Sequence, residues 1–117
     1  MDSIELKART KKFAHRCVKL SVSLPGTTLG RHIKSQLIRC STSVAANYRA
    51  AVVAQSSASF TAKLSIVLEE IDEATFWLEF ISEEKLLTEK QTGALVKESN
   101  ELTAIFFAAR KTMKTKQ

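Results

Sequence analysis

Hydrophobic residues recur along this chain at steps of three and four, and four separate stretches keep that rhythm long enough to form helices. The clearest stripe is Ile33, Leu37, Cys40, Val44, Tyr48 and Ala51, an apolar arc when residues are set at about 100° each. Gln36, Ser43 and Asn47 lie together on its edge with Arg39 just outside, so this helix buries one stripe and carries a polar seam beside it. Before it, Leu6, Phe13, Cys17, Leu20 and Leu24 mark a buried face. After it come Phe60, Leu64, Val67, Leu68, Ile71, Ala74, Thr75, Leu78 and Ile81, then Leu95, Leu102, Ile105, Phe106, Ala109 and Met113.

The breaks between these stretches carry turn chemistry. Leu24-Pro25-Gly26-Thr27-Thr28 stops the first helix, because proline lacks a donor and disfavours helical geometry in the residue before it. Thr27 or Thr28 can cap the second helix, and Ser56-Ser57-Ala58-Ser59 offers several caps for the third. Asp2-x-x-Glu5 and Thr88-x-x-Gln91 have capping-box spacing. These signals predict helices over about 3–24, 29–55, 59–82 and 89–113, in one all-α domain spanning 1–117. Gly30, near the start of the second helix, reads as tolerable there. Ala45, Ala46, Ala50, Ala51 and Ala54 thin that helix's later half and predict close packing of a neighbour.

The third helix is apolar on two sides. Ile66, Trp77 and Phe80 fall off its main buried face, and a four-helix domain covers only one side from within. These three residues are therefore predicted to form a subunit interface, with Trp77 as its anchor.

Composition supports the helical reading and narrows the setting. One proline and three glycines stand among abundant Ala, Leu, Lys and Glu. The longest uncharged run, Ala50 to Ala62, is well short of the roughly 20 apolar residues a bilayer span needs. The opening Met-Asp-Ser-Ile-Glu lacks the basic-then-apolar order of a signal peptide, so no membrane association and a cytoplasmic location are expected. Cys17 and Cys40 fall at core phases, where free thiols behave as small hydrophobes.

Charge changes the picture more. Met1 to Gln55 holds ten Lys or Arg against two acids, a balance of +8, whereas Ser56 to Gln117 holds eight bases against ten acids, a balance of −2. A basic half suggests an anionic partner. On the first helix Arg9, Lys12, Arg16 and Lys19 follow each other at three, four and three, with Lys11 and His15 alongside. A basic tail runs from Arg110 to Gln117. The acids gather as Glu69-Glu70-Ile71-Asp72-Glu73 and then Glu79, Glu83 and Glu84. A carboxylate-bridged metal site in a bundle requires Glu-x-x-His on a second helix, which neither His15 nor His32 supplies. With no phosphate loop, metal-ligand cluster or nucleophile-base arrangement, no catalytic residue, metal or cofactor is expected and the chain does not read as an enzyme.

Two long blocks resemble a known family: Gln36-Leu37-Ile38-Arg39-Cys40-Ser41-Thr42-Ser43-Val44-Ala45-Ala46-Asn47-Tyr48-Arg49-Ala50-Ala51, and Glu69-Glu70-Ile71-Asp72-Glu73-Ala74-Thr75-Phe76-Trp77-Leu78, with Ser57, Phe60 and Lys63-Leu64 between them. The chain is similar to the bacterial four-helix-bundle proteins first found encoded in intervening sequences of 23S ribosomal RNA genes, and to the accessory protein of diversity-generating retroelements. The resemblance implies an antiparallel up-and-down four-helix bundle that assembles into a homopentameric ring with a basic surface and a central pore. It also implies nucleic-acid association in the retroelement relatives, where the pentamer partners a reverse transcriptase. Cys40 stands where the family leads one to expect a smaller residue.

Two functions follow as expectations. The first is a homo-oligomeric scaffold that binds RNA or DNA through phosphate contacts from Lys11, Lys12, Arg16, Lys19, Arg31 and Lys34, with little sequence preference, and that partners a nucleic-acid enzyme. The second is an adaptor that docks an acidic partner protein and touches no nucleic acid. In either, Gln36, Arg39, Ser43, Asn47, Glu70 and Glu73 are expected to form a buried or interfacial polar network that fixes helix register and subunit geometry.

Overall fold

The computed structural model describes residues 1–116, and over them the fold is four helices with no strand. α1 spans Ser3–Val22, α2 Thr28–Val52, α3 Ser57–Glu83 and α4 Glu89–Lys116. Each helix packs against its neighbours in sequence and α1 closes back on α4, an up-and-down bundle 47 Å long and 20 Å across. Gln117, the end of the basic tail, lies outside the described residues.

Side chains set the helix starts. The Asp2 carboxylate accepts the Glu5 amide at 2.8 Å, and Thr27 accepts that of Gly30 at 3.0 Å. Thr88 and Gln91 satisfy each other reciprocally, the Gln91 amide donating to Thr88 Oγ1 at 3.2 Å and the Thr88 amide to Gln91 Oε1 at 2.9 Å. α3 starts at Ser57, earlier than predicted, because Ser56 takes the cap and receives the Ser59 amide at 3.0 Å. α1 ends at Val22, where Ser23 and Leu24 turn to carbonyls three residues back ahead of Pro25. α2 stops at Val52 with Ala54 in a similar turn, and α4 continues past Met113 to Lys116.

The core is built from one stripe of each helix. Phe13, Ile33, Leu37, Val44, Leu64, Ile71, Leu78, Ile81, Leu102 and Phe106 are wholly buried. Leu20, Phe60, Thr75, Ile105, Ala109 and Met113, predicted for the core, are only half-buried because they sit at the margins of their stripes. Hydroxyls take places that the hydrophobic pattern left blank: Thr10, Ser21, Ser41 and Ser99 are buried. Each donates to a carbonyl of its own helix three or four residues back, which removes the cost of burying it.

Gly30 turns out to be required rather than tolerated. The carbonyl oxygen of Pro25 lies 2.0 Å from where a Cβ at position 30 would sit. The α1–α2 connection therefore packs directly on helix backbone.

Candidate interaction surfaces

Antiparallel packing brings Arg39 of α2 against two carboxylates of α3. Its Nη1 donates to Glu70 Oε2 at 3.0 Å and its Nη2 to Glu73, while Gln36 Oε1 accepts from the same guanidinium at 3.3 Å. Trp77 joins from below, its indole N–H donating to Glu73 Oε2 at 3.2 Å. The Arg39 guanidinium holds the Glu73 carboxyl below the usual carboxylate range, against a smaller opposing effect of burial. Four of the six residues expected in a polar network thus meet. Ser43 and Asn47 do not join it: the Asn47 amide donates to Ser43 Oγ at 2.9 Å, one turn along the same helix. They lie opposite the start of α3, where no acid occurs before Glu69. The network is also not buried within one chain, since the Arg39 side chain is 48% exposed.

Beside this seam the rings of α3 form a cluster. Phe76 and Trp77 lie edge to face at 4.9 Å, Trp77 and Phe80 at 5.9 Å, and Phe76 stacks on Phe80 at 5.7 Å. His32 of α2 sits edge-on to Trp77 at 5.6 Å. Of the three residues expected at an interface, Ile66 is exposed, while Trp77 and Phe80 are half-buried against the core. The sequence reading passed over Phe76, which is 51% exposed. Its signal was the step of three from Glu73 and of four to Phe80, which places it on the same outer stripe as Ile66.

The six expected phosphate contacts divide. Lys11, Lys12 and Lys19 are exposed on the outward side of α1 and enter none of the ion pairs among the described residues. Arg16 is half-buried, and its charge falls on Glu98 of α4. Arg31 is exposed, its Nη1 donating to the Gly26 carbonyl, and Lys34 is half-buried on the same edge of α2. Arg9 leaves the basic stripe altogether. It grips Glu98 through Nε and Nη2, both at 2.7 Å, and reaches Glu101 at 3.0 Å. That bidentate bond is the main reason the Glu98 carboxyl lies below its ordinary range.

Between α1 and α2 the outer surface opens into a groove of about 790 Å³. Ile4, Ala8, Ala14 and Val18 of α1 and Ala45 and Ala46 of α2 give it an apolar floor, and Lys7, Lys11, His15 and Arg49 stand along it. Of the five alanines predicted to admit a close neighbour, Ala45 and Ala46 face this open groove, whereas Ala51 is buried in the core.

Cys17 and Cys40 are free and buried, and desolvation pushes each thiol up to about 12. Among the described residues no three His, Cys, Asp or Glu side chains converge to hold a metal ion, and no helix is long and apolar enough to cross a membrane.

Comparison with known proteins follows the same outline. A family model described as 23S rRNA-intervening sequence protein matches residues 2–108. A solved structure from Bacteroides thetaiotaomicron, a protein with unknown function from the S23 ribosomal protein family, superimposes with a TM-score of 0.84. It is 32% identical and the match covers 91% of this chain and 98% of that one. No curated protein matches the chain.

Proposed function

We propose, for a chain that belongs to the 23S rRNA-intervening sequence protein family, the role of a non-enzymatic homo-oligomeric scaffold that binds RNA or DNA through phosphate charge. The observation that carries this reading is the outward face of α1, where Lys11, Lys12 and Lys19 are exposed and unpaired by any acid among the described residues. Apart from Asp2 and Glu5 at the start of α1, the acids all come from α3 onward, and those in ion pairs among the described residues are engaged with Arg9 and Arg39. Exposed cations held on a rigid helix release counterions when they meet phosphate, without reading sequence. Arg16, Arg31 and Lys34 extend the same surface.

Assembly into a ring, five copies being what the family resemblance implies, multiplies these contacts and covers the exposed apolar residues of α3. Its partner would be a nucleic acid or an enzyme that acts on one.

The test is titration of nuclease-treated protein into a labelled mixed-sequence duplex. With six phosphates neutralised, affinity falls about a thousandfold between roughly 50 and 200 mM salt. An affinity indifferent to salt overturns the reading. The adaptor reading keeps one observation of its own, the basic-rimmed apolar groove between α1 and α2. It predicts no binding to the duplex and capture of an acidic amphipathic helix instead.

A further inference from the structure

Away from its core face α3 carries a second, outer stripe, of which only Phe80 also packs against the core. Ala62, Ile66, Glu69, Glu73, Phe76 and Phe80 follow one another at alternating steps of four and three, the spacing of a coiled-coil seam. Ile66 and Phe76 are exposed along it, and Glu69 forms none of the ion pairs among the described residues. On α1, Ile4, Lys7, Lys11, Ala14 and Val18 follow at three, four, three and four, and all five line the outer groove.

The two stripes are complements. From Ile66 to Phe80 the order is apolar, acid, acid, apolar, apolar; from Ile4 to Val18 it is apolar, base, base, apolar, apolar. Each runs about 21 Å along its helix. The groove is floored by alanines, so a helix laid in it approaches both α1 and α2 closely.

We propose that the α1–α2 groove of one copy seats the α3 ridge of a second copy, the two bundles pointing the same way. In an up-and-down bundle α1 and α3 run in the same direction, so like-oriented copies bring them together in parallel. Ile66–Phe80 laid on Ile4–Val18 then sets Glu69 beside Lys7 and Glu73 beside Lys11. Phe76 and Phe80 fall over Ala14 and Val18, where the groove has room for rings. The contact joins two different faces, so every copy keeps one groove and one ridge to offer, and successive copies close a ring or extend a filament. This inference rests on the oligomeric reading above and names its contact. It also draws Lys11 into the contact, leaving Lys12, Arg16 and Lys19 as the α1 residues that face phosphate.

Lys7 and Glu69 are exposed, outside the core and outside the expected phosphate contacts, so reversing their charges spares the fold of the single bundle. The experiment measures the mass of nuclease-treated protein by light scattering across a dilution series, for wild type, Lys7→Glu, Glu69→Lys and the double variant, with circular dichroism as the check on folding. Each single reversal should raise the concentration for half-dissociation at least tenfold, and the double variant should restore it. Wild type that stays multimeric with both single variants unchanged overturns this contact and leaves the oligomeric reading standing. Loss in both single variants without recovery in the double overturns the Lys7–Glu69 register. A monomeric wild type overturns the contact and the oligomeric reading together.

Discussion

Arg9 and Arg39 each lie across a Glu-x-x-Glu pair on a neighbouring helix, Glu98 and Glu101 on α4 and Glu70 and Glu73 on α3. The two clamps differ in exposure, and exposure decides their worth. Glu98 is 16% exposed and is held by two bonds of one guanidinium, whereas the Arg39 side chain is about half exposed. Glu98→Gln should therefore cost about 1–2 kcal/mol at neutral pH, since it leaves Arg9 partly buried with one carboxylate fewer. Arg39→Ala should cost less than about 1 kcal/mol in the single chain. The pH dependence has a fixed sign. The Glu98 carboxyl is lowered in the fold, so its stabilisation is complete above the ordinary glutamate value of about 4.3 and disappears as pH falls through the lowered value. Urea unfolding at a series of pH values should show wild type losing more stability below about pH 5 than Glu98→Gln does. Equal losses would mean the clamp contributes nothing. The cysteines make a second residue-scale prediction. With both thiols buried and pushed to about 12, labelling by a water-soluble disulfide reagent at pH 8 should be slowed by at least about a hundredfold relative to urea-unfolded protein. Fast labelling of the native protein would show that α1 and α2 open readily.

Helix ends show where backbone geometry overrides composition. At the α3 terminus Lys85 takes φ 57°, the left-handed conformation that closes the helix, with the Leu86 amide reaching the Ile81 carbonyl at 3.0 Å. A lysine there bears a Cβ penalty that glycine avoids, so Lys85→Gly should stabilise by up to about 1 kcal/mol. Gly30 is the opposite case. Alanine is favoured inside a helix by about 1 kcal/mol, but here its Cβ would meet the Pro25 carbonyl, and the clash outweighs the propensity. Gly30→Ala should destabilise by about 1–3 kcal/mol or more, read as a lower melting temperature. A stabilised Gly30→Ala would mean the α1–α2 turn yields without cost. The contrast shows what a sequence makes legible. The four helices could be read because capping pairs such as Thr88 with Gln91 and stripes such as Ile33 to Ala51 are local, each signal lying within a turn or two. Arg39 with Glu70 and Glu73 was legible because antiparallel helices with a short connection fix which turns face each other. Arg9 with Glu98 was not, for its partner lies 89 positions away on a helix that meets α1 only through closure of the bundle. Pro25 over Gly30 was hidden for another reason: a carbonyl's position depends on the path of the turn, which hydrophobic pattern does not encode.

At the scale of the whole molecule, charge polarity and apolar surface raise competing claims on the same lysines. Lys11, Lys12 and Lys19 are all exposed in the single bundle, but only Lys11 lines the α1–α2 groove. If every bundle acted alone, removing any of the three would cost one phosphate contact and lower the salt slope for single-stranded RNA by about 0.7. If the groove holds the α3 ridge of the next copy, Lys11 is screened by Glu73 and contributes to assembly rather than to RNA. Binding of an unstructured RNA, measured against salt concentration for Lys11→Ala, Lys12→Ala and Lys19→Ala, separates the two. The expected outcome is a slope reduced by about 0.7 for Lys12→Ala and for Lys19→Ala, and nearly unchanged for Lys11→Ala, whose assembly instead weakens on dilution. Equal reductions for all three would place RNA across the groove itself, and the acidic face of α3 would then have to find its complement elsewhere.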